Sequence, residues 1–235
     1  HVFERSKPLK NQYGRSSEFN KSVHWPQSSN GRYDKSANSC PYLFSTSNTE
    51  KNGVIYVVNG VGGATGAARA SAPHPVMEYS LAGQAGSFYF EIDGKRLDAK
   101  FVNEEGNVLD QFTVFKDLSL KAPSTQTINY FDKIELSATW TGDYIWSNGD
   151  KTKNIKVNPI ENTVFKVNDP QNCFQESFDI KVNPPLSIQN IEESISIPFE
   201  SLTIYDLLGR KTKEFKQNGT INKELISELN PGLHI

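Results

Sequence analysis

The feature that most constrains this chain is the alternation of apolar and polar residues in short runs that end at turn signals. The stretch "GSFYFEIDGKRLDAKFVNEEGNVLDQFTVFKD" (residues 86–117) holds three such runs, separated by Asp93-Gly94 and by Glu105-Gly106-Asn107. Alternation with a period of two is typical of strands with one buried face, and the Gly-containing pairs favour tight turns between them. The sequence therefore predicts a mainly β protein.

Charge and hydropathy argue against binding to nucleic acid or an anionic membrane, and against a membrane-spanning helix. The chain has 25 Lys and Arg against 27 Asp and Glu, so it carries no basic excess for nucleic acid or an anionic membrane. No apolar run approaches the roughly 18 residues that a membrane-spanning helix needs. Within the longest apolar stretch, "GVIYVVNGVGG" (53–63), residues 54–58 predict a strand buried on both faces. We expect no nucleic-acid binding and no transmembrane segment.

Changes in composition divide the chain into modules. Residues 1–50 are polar and aromatic with little periodicity, and predict long loops held by aromatic side chains. The polar, Pro-containing stretch 118–127 predicts a linker. Short strands with regular turn signals over 128–185 predict a small β-sandwich, with Trp146 in its core rather than exposed for sugar stacking. A last small β module follows from residue 186.

The two cysteines, Cys40 and Cys173, fall in different predicted modules. A disulfide between them would have to join two modules, so the sequence disfavours a bridge. Two cysteines can also serve as small buried apolar residues. The number of cysteines alone does not indicate whether the protein works in an oxidising or a reducing compartment.

The opening residues "HVFERS" carry a specific resemblance. They are similar to the end of the last metal-binding motif of calcineurin-like metallophosphoesterases, and of purple acid phosphatases in particular, where the pattern is Gly-His-x-His-x-aromatic-Glu-Arg. His1 matches the second His of that motif, and Phe3, Glu4 and Arg5 match the aromatic-Glu-Arg that follows. Four later stretches come in the order expected of bacterial members of the family; they are 13–19, 53–63, 74–80 and 86–117.

This resemblance implies that residues 1–117 are the C-terminal portion of an α/β metallophosphoesterase sandwich, truncated at its start. It implies two metal ions (Fe, Zn or Mn), His1 as one ligand, and the other ligands upstream. Two such ions activate hydroxide and stabilise the displacement at a phosphate ester. The intact protein would then be a phosphoesterase, and this part alone would be inactive.

The remaining site residues follow from the same resemblance. Glu4 and Arg5 are expected to brace the loop that carries the metal-binding His, although an adjacent acid and base are most often a surface feature. Gly60, Gly62 and Gly63 are expected to form an active-site loop whose backbone closely approaches the metal centre. They lack the Gly-Lys-Ser/Thr ending of a nucleotide-binding loop.

Two further histidines are candidates for chemistry. His24, beside Trp25 and Pro26, could edge the cleft and contact a phosphate ester, but an ordinary loop residue is the favoured interpretation. His74 lies between Pro73 and Pro75 and is assigned to the fold.

The later modules carry resemblances of their own. Residues 128–185 resemble immunoglobulin-like repeats of secreted bacterial proteins. Residues 186–235 resemble the C-terminal sorting domain of type IX secretion substrates, through "IYDLLGR" (204–210) and "NPGLHI" (230–235), and look truncated at their end. This implies a signal peptide upstream, the type IX secretion machinery as a partner, and a secreted or cell-surface location.

A second class of function explains the same strands. The chain could be a secreted non-catalytic adhesin or carbohydrate-binding surface protein, with a first module that is a β-domain without catalytic metals. The two interpretations differ in what they require upstream of His1: Asp-x-His, Gly-Asp and Gly-Asn-His-Asp/Glu motifs for the enzyme, and none of these for the adhesin.

Overall fold

The structure is a computed structural model, and it describes residues 2–66, 73–183, 197–205, 209–216 and 218–221. Strands dominate these residues, so the predicted mainly β class is confirmed. The helices described are α1 (Lys21–His24) and two single turns of 3-10 helix, Ser16–Glu18 and Thr49–Lys51. None of them is long and apolar enough to cross a membrane. The α/β character expected of a metallophosphoesterase portion is not visible in the described residues and stays a prediction.

The first module is built from two sheets. A three-stranded sheet has the order β3-β1-β4, and a four-stranded sheet has the order β2-β7-β6-β5. All neighbours are antiparallel except β2 and β7, which run parallel. Their bounds are β1 (Val2–Ser6), β2 (Tyr42–Phe44), β3 (Val57–Asn59), β4 (Met77–Ala82), β5 (Gly86–Asp93), β6 (Arg96–Asn103) and β7 (Val108–Lys116).

The three alternating runs of 86–117 form β5, β6 and β7, as predicted. Both turns need glycine, because Gly94 has a φ of 58° and Gly106 a φ of 84°. Pairing along β5 and β6 is continuous from Gly86 opposite Asn103 to Asp93 opposite Arg96. The hairpins therefore present one face of alternate residues to a core.

Two predictions for this module were wrong in part. Residues 1–50 contain the strands β1 and β2 as well as loops. The apolar pattern does not indicate β1, because one of the side chains that this strand buries is an arginine, Arg5. The apolar run 54–58 is not buried on both faces: Val54, Tyr56 and Val58 are 54%, 53% and 44% exposed. The described part of the chain contains no strand on the outer side of β3, which leaves it at the edge of its sheet.

The core of the first module consists of two apolar clusters. One surrounds Phe3, Val61 and Phe101, and the Phe3 and Phe101 rings stack with centroids 4.1 Å apart. The other surrounds Tyr42, Ala99, Phe112 and Val114. Val57 and Phe88 pack against both clusters.

The strands predicted for the second module are present. β10, β12, β13 and β8 form one sheet in that order, and β11 and β9 form a second. Trp146 is 2% exposed, so its assignment to the core is confirmed. The strand β8 starts inside the stretch predicted as a linker. The bounds are β8 (Ser124–Asn129), β9 (Ile134–Ser137), β10 (Ile145–Trp146), β11 (Asn154–Val157), β12 (Thr163–Asn168) and β13 (Gln175–Asn183).

The described part of the last module consists of two antiparallel strand pairs. β14 (Ile197–Phe199) pairs with β17 (Gly219–Ile221), and β15 (Leu202–Tyr205) pairs with β16 (Lys211–Phe215). The stretch "NPGLHI" and the middle of "IYDLLGR" lie outside the described residues. The sorting-domain assignment, with the type IX machinery as its partner, stays a prediction.

The chain divides into two compact units that do not coincide with the predicted modules, since their boundary crosses strands of the second module. The domain boundaries at 117, 127 and 185 remain predictions. The first unit comprises His1–Ser124, Leu136–Ile155 and Phe165–Ser177, and the second comprises Thr125–Glu135, Lys156–Val164 and Phe178–Ile235.

Candidate functional site

The strand that carries "VFERS" lies at the centre of its sheet. β1 is paired on one side with β3 and on the other with β4. Side chains alternate along it, so Phe3 and Arg5 are fully buried while Glu4 is directed to the opposite face. His1 itself lies outside the described residues.

Arg5 is held by a buried polar network. Its Nε and Nη2 donate to the two carboxylate oxygens of Asp110 at 2.6 and 2.9 Å. Its Nη1 donates to the Tyr42 hydroxyl and to the Asn30 carbonyl, each at 3.2 Å. Arg32 donates to the same carboxylate at 2.9 Å. Buried charges persist where they are paired and hydrogen-bonded in this way, and the arrangement fixes β1 against β2 and β7.

Ionisation in this network follows from burial and pairing. Burial works against the charge of Arg5, but the hydrogen bond and charge of Asp110 raise its pKa above the ordinary value, so the guanidinium stays charged. Burial raises the pKa of Tyr42 above its ordinary value, and the nearby Arg5 opposes that shift only in part. Tyr42 is therefore a neutral phenol that accepts a hydrogen bond from Arg5.

Glu4 and Arg5 do not pair with each other. Glu4 accepts a hydrogen bond from the Ser80 hydroxyl of β4 at 3.0 Å, whereas Arg5 lies in the core. An adjacent acid and base most often form an exposed surface pair, but the Arg5 side chain is buried and does not fit that interpretation. The role of Glu4 and Arg5 in bracing a metal-binding His at position 1 stays a prediction.

The glycine turn meets the start of β1 at one point. The Gly60 amide donates to the Val2 carbonyl at 3.0 Å, and a Cβ at Gly60 would lie 3.3 Å from that oxygen. At Gly62 and Gly63, a Cβ would have no atom of the described residues within 4 Å. Of these three glycines, Gly60 alone approaches other backbone closely enough to crowd a side chain, and the predicted active-site loop stays a prediction.

The two other histidines make local contacts. His24 Nδ1 accepts the Asn20 amide at 2.9 Å, and its ring stacks on Phe19 with centroids 5.7 Å apart. His74 Nδ1 accepts the Val76 amide at 3.3 Å. Both histidines therefore help to fix their own turns, and nothing in these contacts supports the phosphate-ester role considered for His24.

No group of three or more His, Cys, Asp or Glu side chains that could hold a metal ion occurs among the residues that the structure describes. The remaining ligands that the family resemblance implies would have to come from outside this sequence. The two metal ions and the ligand role of His1 stay predictions.

An apolar groove of about 470 Å³ lies between the sheets of the first module. Sequence reasoning missed it, although the alternation in β5 places Phe88, Phe90 and Ile92 on one face. Phe90 and Ile92 are 61% and 66% exposed. Its lining residues are mainly apolar and come from five strands, the turn between β5 and β6, and one residue before β3: Phe44, Ile55, Val57, Phe88, Phe90, Ile92, Gly94, Lys95, Arg96, Leu97, Ala99, Phe112, Val114 and Lys116.

The disulfide that the sequence disfavoured is present and joins Cys40 to Cys173. The reason is that both cysteines belong to one compact unit, in which the predicted modules are packed rather than merely linked. Near the bridge, the Gln171 side chain donates to the Tyr33 carbonyl at 3.0 Å, and the rings of Phe115 and Phe174 meet edge to face at 5.3 Å.

Arg96 adds a second connection within this unit. It donates to the Thr141 carbonyl at 3.1 Å and pairs with Asp98 at 2.7 Å. Gly142 lies beside Arg96 and has a φ of 148°, a backbone conformation that residues with a Cβ rarely adopt. Together with the disulfide, these contacts hold residues 136–155 and 165–177 firmly in the first unit.

Comparison with known proteins gives little further constraint. No protein-family model matches the sequence, and no curated protein matches it. Among solved structures, the chain is similar to the fibronectin(III)-like modules of CbhA from Clostridium thermocellum, with 11% identity, a TM-score of 0.18, and coverage of 46% of this chain and 70% of that one. It is also similar to SGBP-B of the mixed-linkage glucan utilization locus of Bacteroides ovatus, in complex with mixed-linkage heptasaccharide, with 5% identity, a TM-score of 0.17, and coverage of 64% and 60%. At these TM-scores neither likeness bears on function.

Proposed function

We propose that the first unit contains the closing part of a metallophosphoesterase domain in a secreted protein, and that His1 is a metal ligand of that domain. The observation that carries the proposal is the position of the "HVFERS" motif. Its residues 2–6 form the central strand β1, whose Arg5 pairs with Asp110 in the core and whose Val2 carbonyl accepts the Gly60 amide.

The role proposed for this chain is to position one metal ligand, His1. Two metal ions bound in such a domain would supply the chemistry for hydrolysis of a phosphate ester, and His1 would hold one of them. A ligand at position 1 needs a rigid support, since small displacements of ligands weaken metal sites. The pairing of β1 on both sides and the bidentate Arg5–Asp110 contact supply rigidity two to four residues away.

The secreted location has independent support. Disulfides persist mainly in oxidising compartments such as the periplasm and the cell exterior. The Cys40–Cys173 bridge therefore supports a protein that is exported, in agreement with the sorting-domain resemblance of residues 186–235.

The test needs a form of the protein that carries, before His1, the acidic metal-binding motifs that this proposal requires. We expect it to hydrolyse a chromogenic phosphate ester, and a chelator to remove the activity. His1→Ala should lower kcat by at least about 100-fold through loss of a metal ligand. His24→Ala is the matched control and should leave kcat within about twofold, because His24 serves only its own turn.

Metal content provides the second readout of this experiment. His1→Ala should also lower the bound metal per protein, and His24→Ala should not. Equal effects of the two substitutions, or an upstream sequence without the acidic metal-binding motifs, would refute the proposal.

A second candidate function is a non-catalytic binding module, and the exposed apolar groove favours it. Contiguous exposed apolar surface often marks an interaction site. Under this interpretation the 235-residue chain binds its partner without metal, and chelator leaves binding unchanged. Binding of the chain to a cell-surface polysaccharide, measured by titration calorimetry and weakened by Phe90→Ser, would favour this function over the enzyme.

A further inference from the structure

The turn between β8 and β9 holds an aromatic residue in an unfavourable backbone conformation. The Asp132 amide donates to the Asn129 carbonyl at 3.1 Å and closes a β-turn, in which Phe131 occupies the third position with a φ of 70°. A positive φ there is typical of a type II turn, where Gly or Asn is the usual residue. For a side chain as large as that of Phe131, this conformation is strained.

Packing does not compensate for the strain at Phe131. Tyr33 also has a positive φ, but its ring packs against Phe115 and Phe174. Among the described residues, the Phe131 ring meets only the adjacent Tyr130 ring, with centroids 4.4 Å apart, and Phe131 is 48% exposed. Strained backbone of this kind is concentrated at functional sites, including sites that bind ligands.

Two asparagines from other parts of the same module hold the turn in place. Asn158, directly after β11, donates to the Asp132 carbonyl at 2.7 Å. Asn183, the last residue of β13, donates to the side-chain oxygen of Asn129 at 3.2 Å, and its own carbonyl accepts the Tyr130 amide at 3.2 Å. An exposed aromatic pair and three amide side chains are thereby brought together, all within the second compact unit.

Each of the three amide side chains keeps one hydrogen-bonding group unused. Within the described part of the chain, no group donates to the side-chain oxygen of Asn158 or Asn183, and none accepts from Asn129 Nδ2. All three residues are exposed. The turn therefore offers two acceptors and one donor beside an aromatic ring.

A carbohydrate suits these groups. The C–H groups on one face of a sugar ring pack against an aromatic ring, and each sugar hydroxyl both donates and accepts hydrogen bonds. A proline-rich peptide also packs against aromatic rings, but its backbone offers mainly carbonyl acceptors, because proline has no N–H. Such a peptide needs donors from its receptor, whereas acceptors predominate here.

We infer that the Tyr130–Phe131 pair and the amides of Asn129, Asn158 and Asn183 form a binding site for a neutral polysaccharide, with Phe131 as the stacking ring. The site goes beyond the proposed phosphoesterase and does not rest on it, because all five residues lie in the second unit. It is also separate from the apolar groove, which is lined by residues of the first unit.

The test is affinity electrophoresis of the 235-residue chain in native gels that contain hydroxyethylcellulose, xyloglucan, galactomannan or dextran. We expect at least one of the four polysaccharides to retard the chain. Phe131→Gly removes the ring but also relieves the strain at a φ of 70°, so the fold should be retained. This variant should bind at least about tenfold more weakly, with a Tm that is unchanged or higher.

Matched variants distinguish this site from other exposed side chains. Phe90→Ser removes a ring that is 61% exposed in the apolar groove, and it should leave the affinity within about twofold. Asn158→Ala should weaken binding at least about threefold, since it removes an acceptor and the contact that holds the turn. Asn148→Ala removes an exposed asparagine that bonds within its own turn, and it should change the affinity by less than about twofold.

Four outcomes would overturn the inference. The first is the absence of retardation in all four gels. The second is loss of binding with Phe90→Ser but not with Phe131→Gly, which would assign polysaccharide binding to the groove. The third is a lower Tm of Phe131→Gly with unchanged binding, which would show that the ring serves packing. The fourth is binding of a polyproline decapeptide, abolished by Phe131→Gly, in a chain that no polysaccharide retards.

Discussion

Arg5 and Asp110, which lie 105 positions apart, form a bidentate ion pair in which both side chains are 1% exposed. The pair connects β1, the strand of the "HVFERS" motif, to β7 in the other sheet of the first module. A second arginine, Arg32, donates to the same carboxylate. Asp110 is therefore the shared anion of two guanidinium groups.

Asp110→Ala should be strongly destabilising. It leaves the buried charge of Arg5 without its partner, and removal of one member of a buried pair costs about 3–5 kcal/mol. The free energy of unfolding from urea titrations measures the loss. Asp34→Ala removes the partly exposed Arg32–Asp34 pair and the local hydrogen bonds from Ser36, and should cost only about 1 kcal/mol. Similar losses for the two variants would contradict this account.

Alkaline pH should destabilise the fold through Tyr42. Burial raises the pKa of its phenol above the ordinary value of about 10, so the folded state favours the neutral form. The contribution of the Tyr42 phenol to the free energy of unfolding is fully present below about pH 10, and it is lost as the pH rises through the folded-state pKa.

Tyr42→Phe tests this pH dependence. The variant should be less stable near neutral pH by about 1 kcal/mol, because the hydroxyl accepts a hydrogen bond from Arg5, but its stability should fall less steeply between about pH 10 and 12. Urea midpoints at several pH values measure both effects. Tyr13→Phe is the control, since Tyr13 is 92% exposed. A parallel fall in all three proteins would reject the assignment.

Removal of the disulfide should destabilise the first unit. The bridge closes a loop with a sequence separation of 133, and the Cys40→Ser, Cys173→Ser double variant should lose about 2–5 kcal/mol. Thermal unfolding with and without reductant provides the same comparison in the natural chain. Reaction of both cysteines with a thiol reagent in the folded, oxidised protein would show that the bridge does not form.

Trp146 should behave as a core residue. Its side chain is 2% exposed and its indole N–H donates to the Thr152 carbonyl at 2.8 Å, so Trp146→Ala should cost about 3–5 kcal/mol. Its neighbour Ile145 is 47% exposed, and Ile145→Ala should cost less than about 1 kcal/mol. Denaturant titration measures both. A small loss for Trp146→Ala, with altered binding of a polysaccharide, would favour the sugar-stacking role instead.

The local sequence determined the strands with regular alternation. β5, β6 and β7 follow from the period of two and from the Asp93-Gly94 and Gly106 turns, because both signals are set by residues next to one another. The short strands of 128–185 and the burial of Trp146 follow for the same reason. The resemblance of "HVFERS" singles out Arg5 as a supporting residue without indicating its partner.

Only the tertiary structure decided what depends on distant residues. The partner of Arg5 is Asp110, and the partner of Cys40 is Cys173; no local pattern encodes either choice, since each pair forms across more than 100 positions. The sequence disfavours the disulfide because composition alone divides the chain between the two cysteines, whereas packing of Phe115 on Phe174 brings the two segments together. The exposure of Val54, Tyr56 and Val58 likewise depends on which strands lie beside β3, and periodicity within one strand does not specify its neighbours.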